Sequence, residues 1–418
     1  MSTRPLSRIF LAASAVCALF LTACGGSTEL DSNKASSAGK DSPFIYYVSV
    51  SVTGPVAAFT DAEIGGFQLA VDKVNEQGGI NGRKVELVVQ NDGNDPTTAV
   101  TLLQKYLASG KTPDAVYAGS SSAVALSLLP VLASRKIISL SAPNSKAALD
   151  HPDKYPYGFA TTVASAESGP FFAKEAQAKG FKKVAMLYAD SATGQGSFAA
   201  YQAAMKQAGI PLVSATYKET SLDMTPQLQK LQAEKPDALI LNGYGAPTLY
   251  VFKSRAQLGW DLPTYADTLA SSFPLAKNLP PESLKNVMVQ VNKPSLADSP
   301  HPDGLQPFID TVKNGDHKAQ FPTYGVSPYA VGWDNVMLAR AAATQAGTSD
   351  GDKVKELLES GKFQKPAGDL LGNGKDASAI DYCYSPQTHF PCPTSETFEF
   401  VPPPTTDANG MYVVSAGS

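Results

Sequence analysis

Charge is scarce in this chain of 418 residues: only 17% are Asp, Glu, Lys or Arg, and only four are His. The His stand at 151, 301, 317 and 389, none of them at metal-ligand spacing, so no metal is expected. Basic residues never run longer than a pair such as Lys182-Lys183. Without a basic stripe to replace the counterions on phosphates, nucleic acid is excluded as a partner. There is no H-E-x-x-H, no P-loop and no paired C-x-x-C. Gly194-Gln195-Gly196 is a lone G-x-G, and carboxylates such as Asp190 occur in many turns, so the pattern disfavours an enzyme and implies no cofactor. What is present is ordinary for a packed protein, with 43% hydrophobic residues and a net charge of -4, which excludes disorder over most of the length. The length allows two or three domains at roughly 100 to 200 residues each.

Long apolar runs are missing except for one, from Ile9 to Leu21, which follows Arg4 and Arg8 and ends in Leu21-Thr22-Ala23-Cys24. It falls short of the about 20 apolar residues that a membrane span needs. A positive end, a short apolar stretch and small residues describe an export signal over residues 1–23. L-T-A-C is similar to a bacterial lipobox, which implies that Cys24 is lipid-modified and holds the protein at the outer face of the cell membrane or in the periplasm. Residues 24–43, rich in Gly, Ser, Asp, Lys and Asn, read as a flexible tether. Arg4 and Arg8 leave with the signal and no acid does, so the formal charge moves from -4 to -6. Of the four Cys, Cys17 is lost with the signal and Cys24 is the lipid site. Cys383 and Cys392 remain, in a loop rich in Pro and polar residues. In an exported protein one disulfide is the economical reading, with a two-Cys metal site using His389 as the alternative.

From Phe44 onward strand-like and helix-like runs alternate. The spacing predicts a strand at 44–52 and a helix carrying Ile64, Phe67, Val71 and Val74, closed by Gly78-Gly79. A strand at 85–89 follows, then a helix that Asp95 caps and Pro96 opens. Strands at 115–118 and 137–140 flank a Ser-rich turn and an Ala/Leu/Val helix. A second set of the same kind runs from about 170 to 258. The expectation is α/β with parallel sheets: two consecutive sets without a linker suggest two lobes that share crossing segments, with 44–162 plus 293–365 in the first lobe and 163–292 plus 366–418 in the second. Periodicity fades after about Ser360.

Three motifs are informative together: T-G-P-V-A-A-F-T at 53–60, N-E-Q-G-G-I-N-G-R at 75–83 and D-P-T-T-A-V at 95–100. They closely resemble the opening of the periplasmic leucine/isoleucine/valine-binding protein family. Weaker correspondences follow in A-G-S-S-S at 118–122, S-A-P-N-S at 141–145, L-Y-A-D-S-A-T-G-Q-G at 187–196, N-G-Y-G at 242–245 and W-D-N-V at 333–336. The resemblance implies a type I periplasmic binding fold, two doubly wound parallel-sheet lobes joined by three crossing segments, acting as a monomer that delivers a small polar ligand to the permease of an ABC importer. A sensor of the same fold that reports to a regulator is the alternative.

Ser120, Ser121 and Ser122 stand between a strand and a helix, where they can cap the helix and hold a carboxylate. The resemblance makes Ser122 the serine on the ligand carboxylate. It puts Pro143, Asn144 and Ser145 in the next-strand turn, where a backbone carbonyl and a hydroxyl meet the ligand. Phe59, Tyr244 and Tyr324 match aromatic walls, and Thr193 stands where relatives often have Tyr. At Y-A-D-T-L (265–269) the family places a Glu that neutralises an amino acid's ammonium. Here Thr268 takes that position and Asp267 is its neighbour. Unless Asp267 turns into the cleft, a buried ammonium lacks its counter-charge. An aromatic or other carboxylate, or an amide, then fits as well as an amino acid.

Overall fold

A computed structural model describes residues 42–414 except 55, 120, 144, 219, 244–245 and 269–274. The expected signal, Cys24 and nearly all of the tether lie outside the described residues. The first sheet is built from β1 (Phe44–Val50), β2 (Val85–Asn91), β3 (Ala115–Tyr117), β4 (Ile138–Ser141) and β5 (Gly158–Ala160). Their spatial order is β2-β1-β3-β4-β5, parallel throughout, with Tyr46 opposite Leu87 on one side and Ala115 on the other. Connecting these strands are α1 (Ala57–Glu76), α2 (Pro96–Ala108), α3 (Ser122–Arg135) and the short α4 (Lys146–Leu149). Asp95 caps α2 as its sequence suggested, its carboxylate accepting from Thr98 N–H at 2.7 Å.

The second sheet repeats the order. It contains β6 (Val184–Ala189), β7 (Leu212–Tyr217), β8 (Ala238–Asn242), β9 (Thr264–Ala266) and β10 (Val287–Asn292), arranged β7-β6-β8-β9-β10. These strands are parallel, and the edge strand Phe398–Val401 joins β10 antiparallel. Its helices are α5 (Ser168–Lys179), α6 (Ala192–Gln207), α7 (Thr225–Ala233) and α8 (Ala246–Gln257). Strands covered on both faces need continuous apolar runs, and β3, β6 and β8 are buried at every position. In the first lobe Phe44, Tyr46 and Val48 pack towards α1, while Tyr47 and Val116 pack towards Leu103 and Leu128. In the second lobe Leu187, Leu239 and Leu241 face Phe252, and Met186, Tyr188 and Ile240 face Phe172 and Tyr201.

After β10 the chain returns to the first lobe, where Ser327–Ala346 lies against α1 with Val336, Met337 and Leu338 in its core. The sequence left the last 50 residues without a pattern, and the structure supplies the reason: apart from the four-residue edge strand Phe398–Val401, their strands, such as Ile380–Asp381 and Cys392–Pro393, have two residues, too short for periodicity. Residues 366–418, read from the sequence as part of the second lobe, divide between the two. Leu370, Ala377 and Tyr384 enter the first lobe's core, while Phe398–Val401 extends the second sheet. Cys383 and Cys392 form the disulfide, with Cα atoms 5.8 Å apart. The loop it closes docks through His389, which stacks on Phe159 at 3.9 Å and donates from Nδ1 to the Gly158 carbonyl at 3.0 Å.

Candidate functional site

In both sheets the strand order reverses beside the first strand of the set, and ligands of open α/β sheets collect outside the carboxyl ends at such a point. A cleft of about 440 Å³ lies there, bounded by both lobes. From the first lobe come Ser121, Ser122 and Ala123 at the start of α3; from the second come Ser191, Thr193 and Gly194 at the start of α6. Each helix is capped by a serine: Ser121 Oγ accepts from Val124 N–H and Ser191 Oγ from Gly194 N–H, both at 3.3 Å. Two helix N-termini therefore face one cavity, and each carries about half a positive charge. Ser122 Oγ is fixed by accepting from Ser145 N–H at 3.1 Å. Thr161, Thr162 and Asn292, at the crossings between lobes, complete the hinge side.

Of the residues expected at the site, Phe59, Ser121, Ser122 and Thr193 line the cleft. Ser120, Asn144 and Tyr244 lie outside the described residues. Pro143, Ser145, Asp267 and Tyr324 are described and are not among the lining residues. Tyr324 packs edge-on against Phe59 with ring centroids 5.7 Å apart, so it supports the wall without forming it. Ser145 is buried, and its hydroxyl has no hydrogen-bond partner among the described residues. Thr162 Oγ1, on the wall itself, is likewise buried without one, and such groups are satisfied by a ligand or water.

Asp267 does not turn into the cleft. Its side chain is buried and accepts a hydrogen bond from Asn242 Nδ2, so it orients Asn242, which does line the cleft together with Thr268. Glu63, Tyr117, Asn242, Asp334 and Asn335 also line it and were missed as site residues. Asn242, Asp334 and Asn335 stand inside the N-G-Y-G and W-D-N-V motifs, which held the signal. Glu63 carried none, being a charge in an amphipathic helix. Asp334 accepts from the backbone N–H groups of Leu371 (2.7 Å) and Gly372 (3.0 Å), yet desolvation pushes its carboxyl up to about 7. No Lys, Arg or His is among the described lining residues, so a bound anion meets helix ends and hydroxyls instead of a side-chain cation.

Gly347-Thr348-Ser349-Asp350-Gly351 matches the G-x-S-x-G spacing of a nucleophile elbow. Its geometry is different: Gly347 ends a helix in the left-handed conformation, and Ser349 Oγ donates to Asp114 and meets Arg83. The pentapeptide joins two helices away from the cleft and serves packing.

The sequence profile of the periplasmic binding protein family matches residues 48–385. The chain is 29% identical over 199 residues to a Leu/Ile/Val-binding protein of Rhizobium johnstonii, covering 46% of this chain and 52% of that one, about half of the relative's length. It is 24% identical over 334 residues to a leucine-, isoleucine-, valine-, threonine- and alanine-binding protein of Pseudomonas aeruginosa, covering 76% and 83%. In structure it is similar, at a TM-score of 0.70 and 18% identity, to an ABC-transporter solute-binding protein of Rhodopseudomonas palustris in complex with 3,4-dihydroxybenzoic acid, covering 89% of this chain and 96% of that one. The sheet order, the inter-lobe cleft and the profile agree: the chain belongs to the periplasmic binding protein family, whose members bind solutes.

Proposed function

We propose that the chain is exported, anchored through a lipid on Cys24, and delivers a small carboxylate to an ABC importer by closing its two lobes on it as a monomer. One observation carries this reading: the N-termini of α3 and α6, from opposite lobes, line a single cleft. A carboxylate between them contacts both lobes only when they are together. That differential contact is what drives closure about a hinge. Ser122 and Thr193 are the first candidates for contact, with Phe59 as a wall and Asn242 and Thr268 as further polar lining. Among the described residues Asp267 is engaged by Asn242, so an ammonium is not a requirement for binding.

A second reading is favoured by Glu63, whose buried side chain lines the cleft from the first lobe. An α-amino acid would then bring its ammonium to Glu63 instead of to the second lobe. Thermal unfolding of the purified chain with benzoate, 3,4-dihydroxybenzoate, leucine and benzamide separates these. A ligand at 100 times its Kd adds about 2.7 kcal/mol of stability. The proposal expects carboxylates to stabilise without an amino group, and Ser122→Ala to weaken binding about tenfold, as for a lost bond to a charged group. Stabilisation by leucine alone, abolished by Glu63→Gln, favours the amino-acid reading; no shift with any carboxylate ends both.

A further inference from the structure

The cleft does not stop at the helix termini. Its lining also takes in an apolar chamber wall of Leu305, Val326, Ala330, Leu371, Phe398 and Met411, with Ser295, Ser327 and Thr397 among them. Of the apolar residues, all but Phe398 belong to one packed apolar cluster, so the chamber is a face of the folded core. Its roof comes from the C-terminal segment: Leu371 and Gly372 are tied to Asp334, and Ile380 pairs with Pro393 beside the Cys383–Cys392 bridge. The cavity lining therefore joins the hydroxyls and helix N-termini to a set of apolar side chains contributed by the core. An amino acid with a branched side chain of four carbons does not need the apolar set.

Building on the carboxylate reading above, we propose that the ligand is a monocarboxylate with an extended apolar tail, of the class of medium-chain aliphatic acids, whose head sits at Ser122 and whose tail fills the chamber under the C-terminal segment. The charges on the wall select against a second acid group. Glu63 and Asp334 are its only described charged residues, both acidic, so a terminal carboxylate finds no partner there. The elevated Asp334 carboxyl agrees with a poorly hydrated wall. Val331 and Ile380 line the same stretch and are only half-buried, so they are positions where bulk can be added without breaking the core.

Isothermal titration of the purified chain with butyrate, hexanoate, octanoate, suberate and leucine tests this. Each methylene buried in the chamber tightens Kd about fourfold. Octanoate is expected to bind far more tightly than butyrate, and suberate at least tenfold more weakly than octanoate. Val331→Trp and Ile380→Trp, made separately so that one folded variant suffices, are expected to weaken octanoate at least tenfold and leave butyrate within twofold. If butyrate or leucine binds and added tail length brings nothing, the chamber is not a ligand subsite while the carboxylate or amino-acid reading stands. If no acid of any length binds, the carboxylate reading falls with it.

Discussion

Asp334 is a carboxylate in a place that disfavours its charge. Two backbone N–H groups stabilise the anion, and burial outweighs them, leaving the carboxyl at about 7 against about 3.9 in an unfolded chain. Because the folded state holds this proton more tightly, the contribution to stability is complete below about pH 4. It is lost as pH rises towards 7 and changes little above that. Other groups add slopes of their own: Asp92 is also raised by burial, and burial lowers His389, which works in the opposite sense at acid pH. The difference between wild type and Asp334→Asn isolates the one group. Asn stays neutral throughout but offers one acceptor oxygen to two N–H groups, so its baseline should fall by about 1–3 kcal/mol for an unsatisfied buried donor. The expected result in thermal unfolding from pH 5 to 8 is a decline in wild-type Tm that the variant lacks. Parallel curves would remove Asp334 as the titrating group.

The cleft keeps its shape because α1 and Ser327–Ala346, which carry Glu63 and Asp334, lie unusually close. A Cβ on Gly66 would stand 1.9 Å from the Tyr329 carbonyl oxygen, and one on Gly332 would stand 2.2 Å from that of Glu63. Neither contact is possible without moving backbone apart. Gly66→Ala and Gly332→Ala should each cost at least the 1–3 kcal/mol typical of overpacking, and should weaken ligand binding as the two carboxylate-bearing walls separate. Gly78→Ala makes a control, because its Cβ would meet nothing and only its left-handed φ of +92° is at issue. Urea unfolding compares the three, and if the two helix variants match the control the helices are not held by close approach. Much of this architecture was legible beforehand. The alternation of runs marked β1 to β4 and β6 to β8 with the helices between them, while β5 and β9, three residues each, left no run of their own; Asp95-Pro96 marked a helix start to the residue. What stayed hidden has two physical causes. A cleft wall is assembled from single positions far apart in the chain, so Glu63 on α1 looks like any helix charge until Ser327–Ala346 covers it. The C-terminal segment is held by a disulfide and by side-chain-to-backbone bonds, such as Lys365 Nζ to the Ile380 carbonyl at 3.0 Å, and these leave no periodic trace.

In the proposed closure of the two lobes, the balance is set by what lies between them. Like-signed helix ends line the same cleft, so an anion bound there offsets the repulsion between them. Beside them Lys146 of α4, in the first lobe, meets Glu167, in the turn that leads into α5 of the second, at 3.0 Å. Both side chains are partly exposed, at 33% and 23%, so the pair is worth well under about 1 kcal/mol and is screened by salt. Such a contact biases the lobe equilibrium without fixing it, in keeping with the delivery role proposed above. Apparent affinity falls in proportion to the fraction of molecules able to bind. Glu167→Gln should therefore weaken ligand binding about two- to threefold at low salt, with the difference vanishing near 1 M salt. Small-angle scattering should show a larger radius of gyration for the ligand-free variant than for wild type, and equal radii once ligand is saturating. Equal affinities at low salt would mean that the pair is maintained in both arrangements of the lobes, leaving the helix termini and the ligand as the elements that set the balance.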